Sequence, residues 1–142
     1  MFNKILVGID GSEVSKSAFR IAIDEAKAWN IDINVVYVIE SGMLSSIPAD
    51  NTLEAIYSLL ETEGNNTIDG CQKLAGEAGV KVISHLRQGH AGNEIIKTAE
   101  EIDADLIILG SHGKSELDRI LLGSVTAHVV RHSTVTTMVV RS

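Results

Sequence analysis

The sequence predicts an α/β fold in which a five-stranded parallel sheet is sandwiched by helices and wound in both directions. Three observations carry this reading. Short apolar runs alternate with helical patterns along all 142 residues. The segments joining successive runs are a dozen residues or longer, the length a parallel crossover needs. The first run, KILVGI, is apolar without alternation, the mark of a strand covered on both faces. Right-handed crossovers then narrow the options to a doubly wound sandwich. The length suits a single domain spanning residues 1–142.

The elements follow in order. Lys4–Ile9 is the first strand, and Ser12 offers a helix N-cap. Val14, Ala18, Ile21, Ala22 and Trp29 recur at roughly helical spacing and extend an amphipathic helix to about Trp29. Ile33–Ile39 (INVVYVI) is the second strand, and Ser41–Asp50, with the only proline, is a loop. Thr52–Ala78 is again helical, with Leu53, Ile56, Leu60, Ile68 and Leu74 apolar. Gly64 and Gly70 each cost that helix about 1 kcal/mol relative to alanine, so a bend or split is expected there. Val80–Leu86 is the third strand and Asn93–Ile102 the third helix. Asp105–Ser111 is the fourth strand, Ser124–His132 a short fourth helix and Thr136–Arg141 the fifth strand.

Composition excludes several function classes. Hydrophobic residues make up 44% and aromatics only 4%, so Ile, Leu, Val and Ala must build the core. A formal charge of −7 argues against nucleic-acid binding, which relies on clustered Lys and Arg. Cys71 is the only cysteine, which rules out an intrachain disulfide and suits a reducing cytoplasm. The N-terminus has no signal-peptide apolar run, and no stretch approaches the ~20 apolar residues of a membrane span. The reading is a cytoplasmic protein without membrane insertion.

Ligands of such sheets bind beyond the carboxyl ends of the strands, where strand order reverses. Three segments converge there: Gly8–Ser12, Val38–Glu40 and Gly110–Gly113. The last opens the stretch GSHGKSELDRILLGSV, with glycines at 110, 113 and 123. Glycine permits positive φ and lets a ligand touch the main chain. The first N–H groups of a helix lack partners and favour an anion, so Ser124, Val125 and Thr126 are placed to aim N–H groups and two hydroxyls at a phosphate. Lys114 and Arg119 add positive charge. The plainer reading, in which the glycines make a turn and Ser124 caps a helix, stands at even weight on spacing alone. A Walker A loop ending at Lys114 requires a glycine where Ile108 stands, and a dinucleotide GxGxxG requires one where Asp10 stands.

GSHGKSELDRILLGSV resembles the G-2x-G-9x-G-(S/T) signature of the universal stress protein family, in its ATP-binding branch. Ile5–Ser15 is similar to the family's opening strand and acidic turn, and Val36–Glu40 to the end of its second strand. The resemblance covers essentially the whole chain. It implies a Rossmann-like sheet of the adenine nucleotide alpha hydrolase type, with strand order 3-2-1-4-5, and ATP as ligand with Mg or Mn as possible companions. It also implies roles. Asp10 contacts the adenosine portion, the Val38 main chain addresses adenine, and Leu109 and Gly110 flank the ribose and phosphates. His112 and Gly113 line the turn, and Gly123, Ser124, Val125 and Thr126 cradle the phosphates. Gly8 stands in the wall beside adenine where the family usually has proline. The last strand lacks the family's usual prolines, yet the resemblance implies a homodimer through it, and an exposed edge invites such pairing. Without the resemblance, Asp10 reads as a helix cap and Val38 as a core residue.

Other chemistry finds little support. His128 and His132 have an i, i+4 spacing that metals use, but HVVRH lacks the glutamate of HExxH, and the pair reads as complementing the helix C-terminus. Cys71 has no CxxC partner, and GxSxG is absent. No catalytic residue is assigned, although His112 is the nearest candidate for one. Three functions therefore stand: an ATP-binding regulatory or stress-response homodimer, a slow ATP hydrolase or phosphotransferase in the same pocket, and a nucleotide-independent partner-binding module.

Overall fold

The computed structural model describes residues 2–113 and 122–141. Lys114 and Arg119, expected to bring positive charge to the glycine-rich stretch, lie outside the described residues. Five parallel strands, β1 (Ile5–Gly8), β2 (Ile33–Glu40), β3 (Val82–Gly89), β4 (Leu106–Gly110) and β5 (Thr136–Val140), form one sheet in the order β3-β2-β1-β4-β5. The helices are α1 (Glu13–Trp29), α2 (Asn51–Glu77), α3 (Ala91–Glu101) and α4 (Ser124–His132). A 3-10 turn at Ser41–Met43 interrupts the loop expected after β2.

β1 is central, pairing Ile5 with both Ile33 and Leu106. Its apolar run divides by alternation. Ile5 and Val7 join Phe19 and Ala22 of α1 and Ile68 of α2 in one core, while Leu6 joins Ile95 of α3 and Val129 of α4 in the other. Helices thus cover both faces, as the unalternating run predicts.

Ser12 caps α1, accepting the Ser15 N–H at 3.2 Å. Val14, Ala18 and Ala22 are buried as expected and Phe19, Ile23 and Ala26 join them, whereas Trp29 is 39% exposed and donates its Nε1–H to Glu25 at 3.0 Å. The indole belongs to the last residue of α1 and is tied along its own helix instead.

Helix α2 runs unbroken through both glycines for 27 residues. Each glycine has a different reason. A Cβ on Gly64 would come within 2.9 Å of Tyr37 and 3.0 Å of Leu86, so its absence lets the helix lie close on β2 and β3. A Cβ on Gly70 would meet nothing within 4 Å. β3 begins later than the expected Val80. Gly79 takes φ 76°, and the Val80 N–H turns back to the Ala75 carbonyl at 2.9 Å, closing the end of α2 before the strand starts.

Gly70→Ala should therefore stabilise the protein by about 0.5–1 kcal/mol, the helical advantage of alanine, in urea denaturation. Gly64→Ala should destabilise it by about 1–3 kcal/mol, because the methyl group has no room.

Candidate functional site

The winding reverses between β1 and β4. After β1 the chain turns to α1 on one face, and after β4 it leads to α4 on the other, so the two connections part and leave a crevice. A cleft of about 380 Å³ occupies it. All eleven residues singled out from the sequence line this cleft: Gly8, Asp10, Val38, Leu109, Gly110, His112, Gly113, Gly123, Ser124, Val125 and Thr126.

One end is apolar and belongs to β2. β1 stops opposite Val36, whose carbonyl accepts the Ile9 N–H at 3.0 Å. By strand alternation the N–H and C=O of Val38 point to the same side as the Val36 carbonyl, now past the end of β1. They present one donor and one acceptor to the cleft. Ile95 and Leu109 supply apolar walls. Gly8 explains how Leu109 gets there, since a Cβ on Gly8 would stand 2.5 Å from Leu109 Cδ2. Where a proline would stiffen this wall, a leucine side chain lies across a bare glycine.

The other end is polar and belongs to α4. Gly123 is its N-cap, with no side-chain capping bond, and its own N–H goes to the Ser111 carbonyl at 2.7 Å. Ser111 is tied in turn through its N–H to the Val140 carbonyl at 2.8 Å. The N–H groups of the first turn, Ser124 to Thr126, have no partner among the described residues and face the cleft with the positive end of the helix dipole.

The glycines of this stretch work by closeness. Those with positive φ among the described residues are Gly11, Gly79 and Gly89, not Gly110, Gly113 or Gly123. A Cβ on Gly110 would lie 2.8 Å from Val14 Cγ1, one on Gly113 3.2 Å from Asp10 Oδ2, and one on Gly123 3.0 Å from His112 Cα. Of the two freedoms that glycine offers, positive φ goes unused here, and β4, α1 and the cradle approach closely, most tightly at Gly110.

Two more expectations change. Thr126 is buried and donates its hydroxyl to the Gly110 carbonyl at 2.7 Å, so its proton is spent bracing the cradle and only Ser124 keeps an exposed hydroxyl. Asp10 is neither the α1 cap nor unengaged. Its Oδ1 accepts the Ser12 N–H at 2.9 Å, shaping the turn that sets Ser12 as cap.

Sequence reasoning placed Glu40, the last residue of β2, in a converging segment but gave it no role. Its carboxylate lines the cleft and accepts the Ala91 N–H at 3.1 and 3.3 Å, capping α3, whose N-cap His90 has no side-chain bond of its own. A carboxylate at a strand end, fifty residues from the helix it caps, leaves no local pattern.

His128 and His132 pack with ring centroids 4.5 Å apart, and His90 joins from the start of α3 at 5.4 Å from His128. Desolvation, followed by the neighbouring His132, His90 and Arg131, holds His128 below the usual imidazole pKa. Its Nε2 meets Asn93 Oδ1 at 2.7 Å. Among the described residues no group of three or more His, Cys, Asp or Glu has an arrangement that could hold a metal. No described helix is long and apolar enough to cross a membrane.

Thr126→Val, nearly isosteric, should cost about 1–3 kcal/mol in chemical denaturation, because it strands the buried Gly110 carbonyl. Ser124→Ala, at an exposed position, should change stability by less than about 0.5 kcal/mol.

The universal stress protein family profile matches residues 1–141. The universal stress protein MJ0531 of Methanocaldococcus jannaschii is 37% identical over 141 residues, 99% of this chain and 83% of that protein. Among solved structures, the hypothetical protein MJ0577 superposes with a TM-score of 0.89 at 31% identity, covering 100% of this chain and 97% of that one. A universal stress protein in complex with cAMP superposes with a TM-score of 0.67 at 26% identity, covering 99% and 97%. With a match that runs from end to end and a 37% identical relative, the chain belongs to the universal stress protein family.

Proposed function

We propose that this protein binds ATP in the cleft between β1 and β4 and acts as a nucleotide-dependent regulatory or stress-response homodimer. One observation carries the reading: the first-turn N–H groups of α4, without a partner among the described residues, line the same cleft as Val38. An adenine ring offers a ring-nitrogen acceptor beside an exocyclic amino donor, the complement of the Val38 main chain. Anionic phosphates suit the helix start. Bare glycines at 113 and 123 leave the main chain of the cradle accessible to a phosphate chain, and a Cβ there would meet Asp10 Oδ2 at 3.2 Å or His112 Cα at 3.0 Å. The structural relative in complex with cAMP supports an adenine nucleotide as the class of ligand.

Mg²⁺ or Mn²⁺ would be held mainly by the phosphates. Such ions keep most of their waters and need only one or two carboxylates, and Asp10 is the carboxylate on this side of the cleft. Homodimerisation through β5 is supported by its place at the end of the sheet order, with β4 on one side only. Cytoplasmic residence suits a single thiol that stays reduced.

Ser124→Asp places a negative charge at the phosphate end while suiting the first turn of α4, so the fold should persist. In titration calorimetry ATP affinity should fall at least about tenfold, with the melting temperature of the ligand-free protein unchanged. ATP at 100 times its Kd should stabilise the parent protein by about 2.7 kcal/mol. An unaltered ATP affinity in the variant overturns the assignment of the cradle. Light scattering should give about twice the 15.2 kDa chain mass.

A further inference from the structure

A second cavity, of about 600 Å³, lies between α1 and α2, within the range of small-molecule sites. Its lining is mixed, with Thr62, Asn66 and Thr67 of α2 set between the apolar residues and the charges. Phe19 and Cys71 form the floor, and burial pushes the Cys71 thiol up to about 11, so it stays neutral. Leu59 and Leu74 stand on the rim, 70% and 37% exposed, an unusual position for leucines on a helix whose other face is well packed. They are four turns apart on α2, about 22 Å at 1.5 Å per residue, so the groove is long rather than round. Two cations from α1 complete it. Lys16 is shared with Glu13 at 3.2 Å, whereas Arg20 makes no hydrogen bond or ion pair with a described residue. Against them the lining sets one carboxylate, Glu63. With Lys16 matched by Glu13, Arg20 is the cation that the groove leaves without a partner among the described residues.

The geometry points to a second ligand site in this groove, for a free long-chain carboxylate of the fatty-acid class, its alkyl chain along α2 and its head beside Arg20. The length of the groove, its apolar floor and a lone cation at one wall each match a part of that molecule. The site adjoins the cleft of β1 and β4 through the shared residues Ile9 and Ser15.

Sodium octanoate, decanoate and dodecanoate, each below its micelle concentration, are titrated into the full chain by calorimetry. Affinity should rise about fourfold per added methylene, and dodecanol should bind more weakly than dodecanoate. Arg20→Glu should weaken dodecanoate about fivefold, the scale of an exposed ion pair. Gly70→Phe directs a ring into the groove from a position where a Cβ meets nothing within 4 Å, and should abolish binding without lowering the melting temperature. Should that variant misfold, Leu74→Glu on the rim is expected to weaken dodecanoate in its place. Binding should persist with excess ATP present, which separates this site from the nucleotide reading, since failure of either leaves the other measurable. The absence of saturable dodecanoate binding, equal affinity for dodecanol, full affinity in both groove variants, or displacement by ATP overturns the proposal.

Discussion

The structure depends on the reversal of winding between β1 and β4. Because β1 is buried on both faces, its neighbours must send their connections to opposite sides of the sheet, and two connections that part cannot fill the space between them. The cleft is a by-product of covering a sheet twice. Its chemistry follows from what the parting chains leave behind: strand edges without a neighbour on the β2 side and a helix start without a cap on the α4 side. The tie from Thr126 to the Gly110 carbonyl and that from Gly123 to Ser111 hold the helix start to the strand end, so the open N–H groups have a fixed aim.

Much of this was legible in the sequence, and the exceptions have physical causes. The five runs and their long connections encode a parallel sheet, because burial on both faces suppresses alternation and crossovers need length. The residues that line the cleft were legible because they end strands or begin helices, where sequence position and spatial position coincide. Sequence misjudges what neighbours in space decide. Gly64 reads as a flaw in a helix until Tyr37 and Leu86 are seen beside it, and Gly110 reads as a turn until Val14 is. Glu40 and Ala91, or His90 and His128, are brought together by crossovers that no local spacing records. Trp29 shows the converse error: an apolar residue at helical spacing that ends the helix half exposed.

The same contrast separates the two faces of α2. Its sheet side is fixed by contacts in which a single methyl group matters, whereas its other side carries exposed leucines and a glycine with empty space above it. Helix propensity alone cannot tell these faces apart. Only the neighbours do.

Glu40 gives the cleft a sense of direction. Two helices point their positive ends into it, but the socket at α3 is plugged by the protein's own carboxylate while the first-turn N–H groups of α4 have no partner among the described residues. An incoming anion is turned away at one mouth and welcomed at the other. A ligand with a charged tail and a neutral head therefore has only one way round to lie, and that polarity is set before any contact reads which head it is.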